Sequence, residues 1–270
     1  MHRPRMTFLA IETSSPRGGL AVLAADGREA EVSFSEGLVH AREIAGRLEE
    51  ALSTLALRPR DLQGIAVSAG PGSFTGLRVG VTAAKTLALA LGIPVASESS
   101  LAVLAANAAF PPPIEREGTA GAPGRAVIAV ATGGRDFVYG AAFLPIGGSP
   151  VGTGEPRFER LLEDGAYAPE EFARRVADLV SGSALEAWAV GDAAERLLEK
   201  LGAGSQGSAL AAAGARVARG PREWDFPRAL VLGRLCARRL EAAPFDREAI
   251  HRLEPAYARP PDAELRHGKR

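Results

Sequence analysis

"SAGPGSFTGLRVGVTAAK" (residues 68–85) is the most distinctive stretch of this 270-residue chain, and its reading decides the fold. Gly70, Gly72, Gly76 and Gly80 crowd into it ahead of Ala83, Ala84 and Lys85. A Walker-type phosphate loop needs a lysine and a hydroxyl directly after its last glycine, to reach the terminal phosphates and magnesium. Here Leu77 and Arg78 follow Gly76, and Lys85 stands far along the segment. The dinucleotide spacing fails as well, because Phe74 and Thr75 delay the third glycine by one residue. Amides at 73–76, opening a helix, still offer a place for an anion.

The spacing points elsewhere. Gly72, Gly76, Gly80, Ala84 and Ala88 recur every four residues. On a helix over 74–91 those from Gly76 onward form one ridge without bulk. A glycine inside a helix costs ~1 kcal/mol relative to alanine, so Gly80 needs close approach by another element as compensation. That element is either the protein's own sheet or a partner helix crossing at about −50°. Spacing leaves both open.

Working outward, "TFLAI" (7–11) reads as a buried strand, and "GGLAVLAADGREAEVSF" (18–34) as two strands around the Asp26-Gly27 turn. Leu38, Ala41, Ile44, Leu48, Leu52 and Leu55 then fall at helical spacing, with Arg42, Glu43, Glu49 and Glu50 off the stripe. This predicts an amphipathic helix over 38–56, with Leu48 and Leu52 in the core. A strand over 62–70 enters the glycine segment. "IPVASESS" gives another strand and "SSLAVLAANAA" another helix.

"FPPPIEREGTAGAPG" (110–124) has prolines, glycines and charges without periodicity, and marks a linker over 111–124 between lobes 1–110 and 125–270. The second half opens as the first does, with a strand, a glycine turn and a strand in "RAVIAVATGGRDFVYGAAFLP". A helix near 169–180, a strand over 187–191, and helices near 193–201 and 226–242 follow. The last of these is placed so that it can pack back on the first lobe. Two related α/β lobes are expected.

The formal net charge is zero and aromatic content is 6%, which argues against a dedicated nucleic-acid surface. Arg259, Arg266, Lys269 and Arg270 make only a mildly basic tail, interrupted by Asp262 and Glu264. The single cysteine, Cys236, excludes an internal disulfide framework and reads as a buried thiol. No apolar run approaches the ~20 residues that span a bilayer. The expectation is a soluble, cytoplasmic chain without a membrane role, with Met6 as its working start.

"AVSAGPGSFTGLRVGVTAAKTLALALGIPV", together with "LAIETSSPRGGLAVL", "HAREIAGRLEEAL" and the closing "PAYAR" (255–259), resembles the bacterial TsaB (YeaZ) family of tRNA threonylcarbamoyladenosine biosynthesis proteins. The likeness is strong over 7–110 and returns near the end. It implies an actin, Hsp70 and sugar-kinase-like fold with two ribonuclease-H-like lobes. It also implies a non-catalytic partner of a TsaD-like threonylcarbamoyl transferase, which modifies adenosine 37 of tRNAs reading ANN codons. A TsaE-like ATPase would dock on that pair.

By the same resemblance the helices at about 38–56 and 74–91 form the dimer surface. His40, Glu43, Phe74, Gly76, Gly80, Ala83, Ala84 and Leu87 are its expected partner contacts. Gly70, Pro71, Gly72, Ser73, Thr75 and Arg78 form the signature loop. No catalytic residue, metal ligand or autonomously bound cofactor is expected, with ATP or ADP confined to the complex interface. Contact with tRNA would run through the complex, and for the chain in isolation the sequence leaves homodimer and monomer both open.

The sequence departs from the family at Glu12, where aspartate is usual, and at Thr132, where an aspartate opens the second-lobe turn Thr132-Gly133-Gly134-Arg135-Asp136-Phe137-Val138-Tyr139. In catalytic members of the superfamily these acids position magnesium and water. Their alteration weighs against the two alternative readings, an autonomous ATP-binding kinase and a metal-dependent peptidase-like enzyme. The histidines agree: among His2, His40, His251 and His267 no pair has the helical His-x-x-x-His spacing, and Ile44 stands four residues after His40. Ser68 and Ser73 fall outside a Gly-x-Ser-x-Gly nucleophile elbow.

Overall fold

A computed structural model describes residues 6–34, 41–108, 125–146, 157–183, 185–202, 212–213 and 216–258; for Ala41 and Arg42 it describes the backbone alone. The expected linker 111–124, His40, Arg259 and the basic residues at 266–270 lie outside the described residues.

In the first lobe, β1 (Phe8–Glu12), β2 (Gly19–Leu23) and β3 (Glu29–Ser33) form an antiparallel meander. Gly27, at φ +90°, supplies the left-handed backbone that the turn between β2 and β3 requires. Helix α1 (Ala41–Thr54) leads to β4 (Gly64–Gly70), α2 (Phe74–Leu91) to β5 (Val95–Ser99), and α3 (Ser100–Ala106) follows directly. β4 runs parallel to β1, and β5 parallel to β4, so the order across the sheet is β3-β2-β1-β4-β5.

The second lobe repeats this plan. β6 (Ala126–Thr132), β7 (Val138–Ile146) and β8 (Arg157–Tyr167) form the meander. α4 (Pro169–Ser183), β9 (Ala187–Val190), α5 (Ala194–Gly202) and β10 (Val217–Arg219) complete the sheet. Its order, β8-β7-β6-β9-β10, is the first sheet's order again. Two lobes of one ribonuclease-H-like topology give the actin and sugar-kinase type of α/β fold.

Strand β8 has no counterpart in the sequence reading. Glu159, Arg160, Glu163 and Asp164 obscure its apolar positions, because it is the sheet's edge strand and none of its residues is fully buried.

Each face of the first sheet is covered. Leu9, Ile11, Ile65 and Val67 meet Ile44, Leu48 and Leu52 of α1 and Val81, Ala84 and Ala88 of α2. Phe8, Ala10, Leu23 and Ala66 meet the second-half helix α6 (Ala229–Ala242) through Leu232, Cys236 and Leu240. α6 is tied to that sheet by Arg228–Glu31 (3.0 Å), Arg234–Glu29 (2.7 Å) and Arg239–Glu98 (2.6 Å). The lobes share a seam where Leu101 and Leu104 of α3 pack with Val127, Phe143 and Trp224.

By length and mean hydropathy (1.2 over 18 residues) α2 is the one helix among the described residues apolar enough to cross a membrane. Its buried face is committed to the protein's own sheet.

Candidate functional site: the glycine segment and the face of its helix

β4 ends at Gly70, whose φ of +108° and tight quarters, with a Cβ at 2.8 Å from Leu77 Cδ1 and 2.9 Å from the Ala256 carbonyl, admit only glycine. A cis Gly70–Pro71 peptide follows, and Ser100 Oγ donates to the Pro71 carbonyl. Ser73 N–H donates to the Ser14 carbonyl (2.8 Å), and a side chain at Gly72 would overlap that carbonyl. Ser73 caps α2, its Oγ accepting from Gly76 N–H at 3.2 Å. Thus the signature loop grips the end of β1 and the start of α3. Two of the amides that would hold an anion are already engaged.

The small-residue ridge faces inward. Gly76, Gly80, Ala84 and Ala88 are all buried in the chain's own fold. A Cβ on Gly76 would overlap the Thr13 carbonyl, and one on Gly80 the Thr13 hydroxyl. This corrects the expectation that Gly76, Gly80 and Ala84 contact a partner. The i, i+4 spacing is the same whether a sheet or a second chain approaches, and here Thr13, just past β1, takes the space.

The partner-facing candidates sit on the other side of α2. Phe74 is 39% exposed, Thr75 and Arg78 are exposed, and Ala83 and Leu87 are half-buried. Between α1 and α2 runs an open cleft of about 470 Å³ lined by Ile44, Ala45, Leu48, Val79, Thr82, Ala83, Thr86, Leu87 and Arg78. Except for the two threonines and the arginine its walls are apolar. Glu43 stands on α1 beside it, half-buried, 3.8 Å from Arg47. Spacing alone did not single out Val79, Thr82 and Thr86; their signal was their position on α2 opposite the glycine ridge.

The closing segment joins the same helix. Lys85 Nζ donates to the carbonyls of His251 (2.8 Å) and Leu253 (3.0 Å), in and after α7 (Arg247–Arg252). Ala256 N–H donates to the Ala69 carbonyl at 2.6 Å. The Tyr257 ring lies 5.0 Å from that of Phe74, and the Arg78 guanidinium is 5.0 Å from the same Phe74 ring. His251 thus serves through its backbone.

Glu12 is fully buried at the end of β1. Its Oε1 accepts from Ser14 N–H (2.7 Å) and Ser14 Oγ (2.5 Å). Burial away from water pushes its carboxyl up to about 7, against the opposing pull of the Ser14 and Ser68 hydroxyls and the Ser14 amide. In the second lobe Thr132 is exposed, and its N–H donates to Asp192 Oδ1 at 2.7 Å. Among the described residues no three His, Cys, Asp or Glu side chains come together as a metal site.

Comparison with known proteins agrees with this architecture. The chain is 44% identical over 102 residues to the tRNA threonylcarbamoyladenosine biosynthesis protein TsaB of Bacillus subtilis, a match covering 38% of this chain and 44% of that protein. The chain therefore spans less than half the length of that relative. To the tRNA N6-adenosine threonylcarbamoyltransferase of Methanopyrus kandleri it is 31% identical over 246 residues, covering 83% of this chain and 69% of the other. The structure of YeaZ from Pseudomonas aeruginosa shares the fold, with a TM-score of 0.65 at 22% identity over 93% of this chain and 99% of that one. The family profile described as TsaD, tRNA N6-adenosine threonylcarbamoyltransferase, matches residues 38–266, and the chain belongs to that family.

Proposed function

We propose that the chain takes part in forming N6-threonylcarbamoyladenosine at position 37 of tRNAs reading ANN codons, as a non-catalytic subunit that binds and activates a TsaD-like transferase. The observation that carries this reading is the apolar cleft between α1 and α2. Val79, Ala83 and Leu87 are left half-buried there on a helix whose opposite face is already packed. Apolar side chains lining an open cleft between two helices suit an amphipathic partner helix. The similarity to TsaB supplies the chemical context.

On this reading the transferase supplies the chemistry, and this chain acts by shaping its partner. Glu12 is enclosed and the second-lobe turn opens with Thr132, so neither acid position offers an exposed carboxylate to a nucleotide phosphate and its metal. A TsaE-like ATPase would join the pair, with nucleotide at the seam and tRNA reached through the complex. Alone, the chain would pair with a second copy through the same cleft.

A second reading, that the chain is itself the transferase, is favoured by the long match to the Methanopyrus protein. One experiment separates the two. The chain is co-purified with its cognate TsaD-like protein, and tRNA modification is assayed with each alone and with both. Modification only with both supports the activating role. Modification by this chain alone would establish the second reading, and full modification by the other protein alone would remove the first.

A further inference from the structure

We infer that the docking surface runs past the α1–α2 cleft, over Arg78, to the Phe74–Tyr257 ring pair, and takes a partner helix with a carboxylate set opposite Arg78. The inference rests on the cleft being the seat of a TsaD-like partner. It adds the charge that the partner brings and a part for the closing segment.

Spacing along α2 makes the surface continuous. Phe74, Arg78, Thr82 and Thr86 recur every four residues and form one ridge of the helix. Arg78, Thr82 and Thr86 line the cleft, and Phe74 carries the ridge one turn beyond it. All four are exposed. From Phe74 to Thr86 the ridge is about 18 Å long, room for three turns of a helix laid along it. Thr86 Oγ1 donates to the Thr82 carbonyl at 2.8 Å, so that hydroxyl is satisfied within α2.

Past Phe74 the surface continues on Tyr257, whose ring is 5.0 Å away and 42% exposed. Phe74 and Tyr257 are two of the four large apolar side chains exposed among the described residues, and they lie together. The backbone of the closing segment is held in place: Ala256 N–H donates to the Ala69 carbonyl, and Lys85 Nζ to those of His251 and Leu253. A ring positioned in advance loses little freedom when a partner covers it.

Arg78 sets the charge of the partner. Its guanidinium lies 5.0 Å over the Phe74 ring, and among the described residues no carboxylate pairs with it. The first turn of α2 holds no acid, and the positive end of the helix dipole adds to the field there. A carboxylate from a partner meets both. A second copy of this chain is the poorer occupant. It brings its own Arg78, and Glu43 and Glu50 of its α1 are held by Arg47, at 3.8 and 2.8 Å. A nucleic-acid strand needs a row of cations, whereas Arg78 is the one charged residue on the cleft walls among the described residues.

The test is isothermal titration of the full chain against the cognate TsaD-like protein, at low and at high salt. Arg78→Gln should weaken binding by about tenfold or more and flatten its salt dependence, because a charge pair is lost. Tyr257→Ala should weaken it by about tenfold and leave the salt dependence as in the wild type, because a ring is removed and no charge. Melting temperatures should stay near the wild-type value, both side chains being exposed. Thr82→Arg, in the cleft itself, is the control. Unchanged affinity in Arg78→Gln or Tyr257→Ala, beside a loss in Thr82→Arg, overturns this inference and leaves the cleft reading standing. So does an Arg78→Gln loss with the wild-type salt dependence. Unchanged affinity in Thr82→Arg removes the cleft reading, and this inference with it.

Discussion

The Thr13 side chain sits directly on Gly80, its hydroxyl and methyl filling the space where a Cβ would stand. This contact explains a glycine in the middle of an 18-residue helix. Its propensity cost is offset by letting α2 lie close on the end of β1. Among the described residues the Thr13 hydroxyl has no hydrogen-bond partner, so shape rather than polarity makes the contact.

Gly80→Leu is therefore expected to destabilise the monomer, by about 1–3 kcal/mol or more, because overpacking forces α2 off the sheet. The sharper check is a double-mutant cycle. Gly80→Ala should cost stability in the wild type but little or none beside Thr13→Ala, with a coupling of about 0.5–3 kcal/mol. Additive effects in denaturant melts would break the proposed contact.

Thr82 lines the α1–α2 cleft and is exposed. Thr82→Arg should fill the cleft and weaken association with a TsaD-like partner at least about tenfold, while stability changes by no more than about 0.5 kcal/mol. Glu43→Lys should act in the same direction more weakly, since an exposed or rim charge affects association more than stability. Isothermal titration beside thermal melts reads both; unchanged affinity for Thr82→Arg removes the cleft from the interface.

Lys85 ties the closing segment to α2 through two backbone carbonyls. Lys85→Ala should loosen residues 251–257 locally, leaving the global melt nearly unchanged, because the segment is largely exposed. Hydrogen exchange at the Ala256 amide, which bonds to the Ala69 carbonyl, is the readout, and it should speed up.

Asn107, buried after α3, donates to the carbonyls of Phe226 (2.8 Å) and Trp224 (3.4 Å) across the seam between the lobes. Asn107→Ala should cost about 1–3 kcal/mol by leaving those carbonyls unsatisfied. A fall in midpoint with unchanged slope in urea would place the effect on stability rather than on cooperativity.

The order of elements was legible because alternation and helical spacing are local signals. The 74–91 helix, for instance, begins at its Ser73 cap and stops at Gly92, which takes φ +66°. Strand β8 escaped because an edge strand needs no continuous apolar face. The partner contacts expected on the 74–91 helix divide between its two sides. Phe74, Ala83 and Leu87 stand toward the open face, whereas Gly76, Gly80 and Ala84 are turned into the core.

By itself the sequence determined that residues 68–91 form a strand, a glycine turn and a helix with one bulkless ridge, since spacing, caps and turn residues act over a few positions. Only the tertiary structure decided what fills that ridge. Thr13 lies more than sixty residues away in the chain, and the β1–β4 register that brings it there also sets Glu12 beside Ser68. Spacing within a helix fixes which residues share a face. Which surface meets that face depends on strands paired across long loops, and no local pattern records that pairing.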